Sequence, residues 1–587
     1  MTTPHTTPGR ARLPARPVVS AAAVARLPRW PLWLLCAAYA LPGFFGRDPW
    51  KGDGLPFGVM WQIAAGHSTW LQPSIYGHPV GGGWLPYWLG AASIDLFGPW
   101  LGAIMSSRLP FIALLALALM QTWYAAYHFA LRDAAQPVQP AFATPISVKG
   151  YARAIADGAL LTLLACLGLL GRGHETLPEL AQLAGYSALL LGLSLVPTKP
   201  RASALALGSG LLILASSGAP WLALFAALLI AALISSQREA APRFAPALAV
   251  ASGLAFAMAI LAVVHGSAVA QWPDFASIQH FFGTFAWFVW PAWPLAALAV
   301  WRWRESVGEW HVLAPLGLLL LACLAALLAA RNVSTLVLAL PAATALAALA
   351  LPVMRRGSLA ALDWFSLLFF SLLALVIWVL WLAMLTGFPA KPAANIARLA
   401  PGFVAHFSLL PTLVALLATL SWAAVVAWRA GRHRHPLWKG MVLSAGGVTL
   451  VWVLVGTLWM PVLDYASTYR PLGRQLAAAL RKHAGPEAEA AGTCVTPVGL
   501  SLTQQALLGY WSHAKFGPKT HGQRCGFVLV LPPRADTRST PADAQPQSRA
   551  EASARRQAER GTRLWSGHRP GEPQERFSLY RSATTAP

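Results

Sequence analysis

The feature that most constrains this chain is a succession of apolar stretches between residues 30 and 460. A helix that spans a membrane needs about 20 consecutive apolar residues. Thirteen spans are predicted, at 30–46, 100–131, 151–171, 177–197, 203–217, 219–235, 244–265, 281–301, 311–329, 335–353, 363–386, 403–428 and 440–460. The pair 203–217 and 219–235 is short and is also compatible with a re-entrant hairpin. The pattern predicts an all-α polytopic membrane protein with about 13 transmembrane helices.

The composition agrees with a membrane protein. Only 11% of the 587 residues are charged, whereas soluble domains carry about 25%. The net charge is +23, and basic residues are scattered in the short segments between the spans, which is the orientation signal of membrane proteins. We therefore expect membrane lipids, and not nucleic acid, as partners.

The distribution of basic residues predicts the orientation. If residues 1–29 form a basic cytoplasmic tail, the cytoplasmic segments carry nineteen Lys and Arg, and the opposite loops before the C-terminal region carry six. The positive-inside rule favours this arrangement. After thirteen crossings, residues 461–587 lie on the outer side of the membrane.

Residues 461–587 are predicted to form a small α/β domain. We expect helices at 469–483 and 500–510, strands at 492–497 and 525–531, and a final strand at 577–580. The segment 532–563 is rich in Pro, Ala, Arg, Ser and Gln and is predicted to be a disordered insertion.

The five cysteines contain no C-x-x-C pair, so no structural zinc site is predicted. Cys36, Cys166 and Cys323 fall within spans, where a thiol packs as a small apolar group. Cys494 and Cys525 both fall in the outer C-terminal region, and an oxidising compartment would allow them to pair. We therefore predict a disulfide between them.

A polar and aromatic loop at 47–99 carries an aspartate, Asp53, between two glycines. One interpretation is a general base at the membrane surface, whose pKa partial desolvation would raise. The other is a turn residue, because Asp beside Gly is frequent in turns. Asp48 lies in the same short segment and competes for the role.

Two glutamates, Glu175 and Glu179, open the next loop on the same side. They are four residues apart and would share one face of a helix, where they could hold a substrate. Acidic residues also favour the N-terminus of a helix because of the helix dipole. Either glutamate therefore has a purely structural interpretation as well.

Two arginines are candidates for binding a lipid phosphate. Arg331 lies between two spans on the outer side, where a guanidinium binds phosphate through charge-assisted hydrogen bonds or extends to the headgroup level. Arg108 lies within a span. Because a charge in hydrocarbon is costly, it is expected to face a polar cavity or an acidic partner.

Aromatic residues between 61 and 88, among them Trp70 and Tyr87, could line a lipid groove or stack on a sugar, or belong to an interfacial belt. No histidine spacing resembles a metal motif. No metal ligand is therefore assigned, and the need for a divalent metal stays open. The chain contains no glycine-rich nucleotide motif, so no nucleotide cofactor is expected.

Four motifs follow one another in the first loop: Asp53, Trp70-Leu71-Gln72-Pro73, Gly77-His78-Pro79 and Leu85-Pro86-Tyr87-Trp88-Leu89. In this order they resemble the first outer loop of the GT-C glycosyltransferases, in the branch of the lipid A aminoarabinose transferases and protein O-mannosyltransferases. Similar residues follow over 30–350 at Ser107-Arg108-Leu109-Pro110, at Glu175 or Glu179, and at Arg331 with Leu340-Pro341. Only the first loop is specific.

The resemblance implies a GT-C fold with a catalytic loop and a small periplasmic domain. It implies transfer of a sugar from a polyprenyl-phosphate carrier to a lipid, glycan or protein acceptor, at the periplasmic face of a bacterial inner membrane. Asp53 would deprotonate or orient the acceptor. Arg331 and Arg108 would stabilise the departing phosphate, and Glu175 or Glu179 would hold the acceptor or the sugar.

Two departures from the family pattern remove lysines that are candidate phosphate contacts. Gly81-Gly82-Gly83-Trp84 stands where relatives have a Glu-Lys pair, and Ser217-Gly218-Ala219-Pro220 stands where they have Lys-Gly-Pro. The donor or its binding mode is therefore expected to differ, and a non-catalytic relative is an alternative. A lipid or glycan transporter or flippase is another, although transporters place polar sites at the midplane of repeated halves.

Overall fold

The computed structural model describes residues 17–19, 27–138, 145–196, 198–235, 274–329, 332–354, 356–430, 438–484, 493–517, 525–532 and 561–582, together with a few single positions. The predicted span at 244–265 falls almost entirely outside the described residues. So do most of the basic tail 1–29 and most of the insertion predicted at 532–563. Within the described ranges the chain is mostly helical.

The structure describes eight helices between residues 29 and 235. They are α1 Arg29–Ala40, α2 Gly54–Ala64, α3 Leu85–Ala130, α4 Val148–Ala165, α5 Leu167–Arg172, α6 Pro178–Leu195, α7 Pro200–Ser216 and α8 Pro220–Ser235. Three of them begin at a proline, whose fixed φ suits the first helical position. Between α2 and α3 the strands β1 Ser74–Ile75 and β2 His78–Pro79 form a short antiparallel pair.

The helix α3 extends further than its sequence predicts. Its 46 residues start at Leu85, and it is kinked where Gly102 has non-helical dihedral angles. The loop predicted to run to residue 99 therefore ends at Trp84. In the helical core, α3 packs against α4 and α6, and α6 packs against α7.

The second half of the membrane region begins with a broken element. The helices α9 Phe275–Phe288 and α10 Ala292–Arg302 are bent by 94°, so the segment predicted as one span at 281–301 is broken into two helices. Pro291 lies at the bend, where it lacks the N–H that a continuous helix needs. The helices that follow are α11 Trp310–Leu328, α12 Leu340–Ala350, α13 Arg356–Thr386, α14 Ala390–Leu399, α15 Leu409–Ala430 and α16 Lys439–Leu454.

In the part of the chain that the structure describes, six helices are long and apolar enough to cross a membrane. A seventh crossing results if the bent pair counts as one span. The prediction of a polytopic all-α membrane protein is confirmed at this level, and the number of thirteen crossings stays a prediction.

In its described residues, the C-terminal region combines three helices with a mixed sheet. The helices are α17 Met460–Ser467, α18 Arg470–Ala484 and α19 Leu502–Ser512, and the strands are β3 Cys494–Val498, β4 Lys515–Phe516, β5 Phe527–Val530, β6 Arg563–Arg569 and β7 Glu572–Arg581. Their order in the sheet is β4-β3-β5-β7-β6. The strand β5 is buried along its whole length, as a central strand requires.

The elements predicted for this region lie within about two residues of those observed, except at the end of the sheet. The strand β6 was not predicted, and it starts at Arg563, the last residue of the predicted insertion. It pairs with β7 in an antiparallel hairpin. Cys494 at the start of β3 is disulfide-bonded to Cys525, with their Cα atoms 5.0 Å apart.

The C-terminal region rests directly on the first loop. The helix α2 packs against α19, and a Cβ atom on Gly58 would lie only 2.5 Å from the Cβ of Ala506. Lys51 forms ion pairs with Glu572 and Glu575 of β7, at 2.6 and 2.8 Å. The loop is therefore held between the membrane helices and the C-terminal region.

The substitution Gly58→Ala tests this docking. Alanine favours a helix by up to about 1 kcal/mol, but its Cβ would overlap Ala506, and overpacking typically costs about 1–3 kcal/mol. We expect a lower melting temperature of the purified protein in detergent. Gly171→Ala, which has open space around its Cβ position, is the matched control, and an equal melting temperature for both variants would contradict the docking.

Candidate functional site

The centre of the site is a buried ion pair within the first loop. Nη2 of Arg47 lies 2.7 Å from Oδ2 of Asp53, and the backbone N–H of Trp50 donates to Oδ1 at 2.9 Å. Only 1% of Asp53 is exposed. Asp53 is the N-cap residue of α2, yet its side chain makes no capping bond, although an aspartate there usually caps the helix. The carboxylate is turned toward Arg47 instead.

Two further sets of contacts fix the arginines. Arg47 donates through Nε to the carbonyl of Gly43 at 3.0 Å and through Nη2 to the carbonyl of His174 at 3.0 Å. Arg108, buried in α3, donates through Nη1 to the carbonyls of Phe44 and Arg47 at 2.9 and 2.8 Å. Its Nη2 is buried and has no hydrogen-bond partner among the described residues. Arg108 thus holds the backbone that carries Arg47 and keeps one donor group spare.

These charges decide the ionisation of Asp53. Burial acts to raise its pKa, but the positive charges of Arg47 and Arg108 and the hydrogen bonds from Arg47 and Trp50 outweigh it, so the pKa of Asp53 lies below its ordinary value of 3.8. The expectation that desolvation would raise this pKa is therefore wrong. Asp53 is held as an anion, which suits it to accept a hydrogen bond.

Glu175 lies against the backbone next to Asp53. A Cβ atom on Gly52 would be 2.7 Å from Oε1 of Glu175, and Oε2 forms an ion pair with Arg172 at 2.8 Å. Burial raises the pKa of Glu175 above its ordinary value of 4.5, and the negative charge of Asp53 raises it further, against the opposing effect of Arg172. The two carboxyl groups thus have pKa values shifted in opposite directions.

Asp48, the competitor of Asp53, belongs to a separate network. Its Oδ2 accepts a hydrogen bond from Thr468 at 2.6 Å, and its Oδ1 is paired with Arg470 of α18. Its backbone N–H donates to Asp464 at 2.7 Å, and so does the indole N–H of Trp50, at 2.8 Å. These contacts tie the loop to the C-terminal region, so Asp48 has a structural role.

Glu179 contacts the segment that follows α11. Glu179 lies in the first turn of α6 and accepts a hydrogen bond from Nδ2 of Asn332 at 3.0 Å. Arg331, which precedes Asn332 in the chain, lies outside the described residues. The structure thus brings Glu175 to Asp53 and places Glu179 beside the segment that carries the predicted phosphate-binding arginine.

The aromatic candidates have different environments. Tyr87 is buried and donates to the carbonyl of Gly81, and a Cβ on Gly82 would lie 2.6 Å from its hydroxyl oxygen and 2.8 Å from Pro178. Trp70 is 42% exposed, and its carbonyl accepts a hydrogen bond from the indole of Trp88 at 2.6 Å. Tyr87 therefore supports the loop from within, while Trp70 faces outward.

The two segments that depart from the family pattern are in direct contact. The backbone N–H of Trp84 donates to the carbonyl of Ser216 at 2.7 Å. A Cβ on Gly83, whose φ is +78°, would lie 2.2 Å from that same oxygen, and one on Gly218 would lie 2.6 Å from the carbonyl carbon of Gly82. Glycine is therefore required on both sides of this contact.

The sequence missed the partners that organise the site. Arg47, which neutralises Asp53, lies six residues before it in the same loop, and this short spacing was the available signal. Asp464 is an isolated acid at the end of the last predicted span, and an acid at such a position is a signal of a polar contact. Lys51 and its two glutamates are more than 500 residues apart, and no sequence pattern links them.

The arrangement can be compared with proteins of known structure. Two solved structures match at an identity of 12% each: ArnT from Cupriavidus metallidurans bound to undecaprenyl phosphate, and the same protein in the apo state. The first has a TM-score of 0.58 over 95% of this chain and 99% of that chain, and the second 0.60 over 94% and 98%. The chain has the fold of ArnT.

The likeness to ArnT confirms the resemblance to the GT-C branch of the lipid A aminoarabinose transferases as a likeness of fold. It includes the C-terminal region, because nearly the whole of each chain is covered. No protein-family model matches the sequence, and no curated protein matches it. Among the described residues, no three His, Cys, Asp or Glu side chains are grouped to hold a metal ion.

The pH dependence of stability tests the position of Glu175. A carboxyl group whose pKa is raised in the folded protein stabilises it below the unfolded pKa of about 4.3, and this contribution is lost as the pH rises through the folded pKa. Glu175→Gln should remove that loss. Between about pH 4 and pH 7, the melting temperature of the variant should therefore rise relative to that of the wild type. Glu179→Gln is the control, and a wild-type profile for Glu175→Gln would contradict the assignment.

Proposed function

We propose that this protein transfers a sugar from a polyprenyl-phosphate carrier to a lipid, glycan or protein acceptor at the outer face of the membrane. The observation that carries the proposal is the buried anionic Asp53, held by Arg47 and Trp50 at the foot of the loop and flanked by Glu175. The ArnT fold and the undecaprenyl phosphate named for one ArnT structure support a carrier of this type.

In the proposed reaction Asp53 orients the hydroxyl or amine that attacks the sugar. An ionised carboxylate with a low pKa is a weak base, so its main contribution is to accept a hydrogen bond from the nucleophile and to stabilise the charge that develops there. Glu175, whose pKa is raised, is the stronger base of the two carboxylates and the better acceptor for the proton. Glu179 would hold the acceptor or the sugar from the start of α6.

The departing lipid phosphate needs positive charge. Arg108 has a spare donor at Nη2 close to Arg47, and Arg331 precedes Asn332 in the sequence, whose side chain contacts Glu179. We assign both to the leaving phosphate, since electrostatic help counts most where charge develops in the transition state. Trp70, at the exposed edge of the loop, would contact the sugar or the lipid. No resident cofactor or metal is part of the proposal.

We further propose the topology that the basic residues predict. The chain would cross a bacterial inner membrane thirteen times, with its N-terminus in the cytoplasm and its C-terminal domain in the periplasm. The contacts of Lys51 with β7 support a common side for the first loop and the C-terminal domain. The excess of Lys and Arg in the predicted cytoplasmic segments favours the periplasm for that side.

Replacing Asp53 by Asn tests the proposal. The change keeps the shape of the side chain but removes the charge, so transfer should fall at least about 100-fold. The measurement is mass spectrometry of envelope lipids and glycans from cells that carry each variant as their only copy, normalised to the level of the protein. The readout is one missing glycosyl increment.

Asp48→Asn is the matched control for this experiment. It also removes a buried, ion-paired carboxylate from the same loop, but one that belongs to the network with Thr468 and Arg470. We expect Asp48→Asn to lower stability and to retain transfer per folded molecule. Unchanged transfer in Asp53→Asn would refute the enzyme and favour the transporter or the non-catalytic relative.

A further inference from the structure

A cavity lies outside the site described so far, between α2 and the C-terminal domain. Its volume is about 560 Å³, and residues that line it include Trp61, Arg474, Arg481, Tyr510, Trp511 and His513. This volume is within the range of about 300–1,000 Å³ that is typical of sites for small ligands. The cavity is therefore large enough for one or two sugar rings.

The wall of the cavity formed by α18 is strongly basic. Arg474 and Arg481 are both exposed and line it two turns apart on the same helix. Over its 15 residues α18 contains no acidic residue, and no acidic side chain lines the cavity within the described residues. Guanidinium groups that line a cavity without acidic neighbours are suited to bind carboxylate or phosphate through charge-assisted, bidentate hydrogen bonds.

The remaining walls are aromatic and hydroxylated. The ring of Tyr510 meets those of Trp61 and Trp511 edge to face, at centroid distances of 5.3 and 4.9 Å. Ser512 and Thr493 add hydroxyl groups. Aromatic rings offer large rigid apolar faces at a low entropic cost. A sugar ring also presents apolar C–H faces and hydroxyl groups, so its surface matches the wall of the cavity.

The backbone at the floor of the cavity is strained. His513, at the C-terminus of α19, has a φ of +57°. A non-glycine residue in this region costs on the order of 1–3 kcal/mol and persists only where the surroundings fix it, often at a binding site. The same helix end carries Tyr510, Trp511 and Ser512 into the cavity wall.

The cavity is linked to the first site by a rigid element. The helix α2 starts directly after Asp53 and reaches the cavity wall at Trp61. Eight residues of helix span about 12 Å. A ligand that contacts Trp61 therefore lies roughly 12 Å from the carboxylate of Asp53, about the length of two sugar rings.

We propose that this cavity is a second binding site, which takes an anionic saccharide whose carboxylate or phosphate is held by Arg474 and Arg481. Its ring rests against Trp61 and Tyr510. The assignment of this saccharide to the acceptor, as a part remote from the reacting group, rests on the proposed function. The binding itself does not.

The experiment is a calorimetric titration of the full-length protein in nanodiscs of zwitterionic lipid. The probes are glucose 6-phosphate, glucuronate, glucose and inorganic phosphate. Glucose 6-phosphate and glucuronate should bind, and added salt should weaken both. Glucose and inorganic phosphate should each bind at least about tenfold more weakly, because each lacks one half of the recognition.

Three variants locate the binding. Arg474→Gln and Arg481→Gln should each raise the dissociation constant about tenfold. Trp61→Leu should raise it about threefold or more. Lys482→Gln removes a charge from the same helix at a residue that does not line the cavity, and it should leave the constant within about twofold.

Several outcomes would overturn the proposal. They are an absence of binding, equal affinity for inorganic phosphate and glucose 6-phosphate, and equal effects of Arg481→Gln and Lys482→Gln. Asp53→Asn separates the two hypotheses, because it should bind the saccharides normally while it loses transfer. Normal transfer in Asp53→Asn with normal binding would refute only the proposed function. Normal transfer in a double arginine variant that no longer binds would refute the assignment to the acceptor.

Discussion

The ion pair between Arg47 and Asp53 is the interaction on which the rest of the site depends. A carboxylate that is 1% exposed cannot stay ionised without a partner, because the cost of burying an isolated charge is far larger than the stability of a domain. Breaking such a buried pair typically costs about 3–5 kcal/mol. Arg47 is in turn fixed by the carbonyls of Gly43 and His174, so the first span and the loop before α6 converge on one carboxylate.

The contact between the two glycine segments gives a physical account of the departures from the family pattern. The two segments lie more than 130 residues apart in the chain, yet their backbones touch at Gly83 and Ser216. A Cβ on Gly83 or on Gly218 would collide with the backbone of the other segment. One backbone contact between the first loop and the C-terminal end of α7 therefore requires glycine in both segments.

The sequence predicts those parts of the fold that follow from local patterns. Apolar periodicity, prolines at helix starts and an apolar strand such as Phe527–Val530 need only neighbouring residues to be recognised. Four of the five elements predicted for the C-terminal domain lie within about two residues of those observed. The start of α3 and the bend between α9 and α10 were missed, because an apolar stretch does not reveal where its helix begins or breaks. The strand β6 was missed because its residues are mostly polar and depend on pairing with β7.

For the site, the sequence by itself determined the candidate residues, since an acid beside glycines and an arginine within hydrocarbon are unusual in any context. The tertiary structure alone decided which residues they contact. It paired Asp53 with Arg47 and Asp48 with Arg470, and it set Glu175 against Gly52. The physical reason is that ionisation depends on burial and on charges within a few ångströms. Many of those neighbours, such as Asp464 beside Asp48, lie hundreds of residues away in the chain.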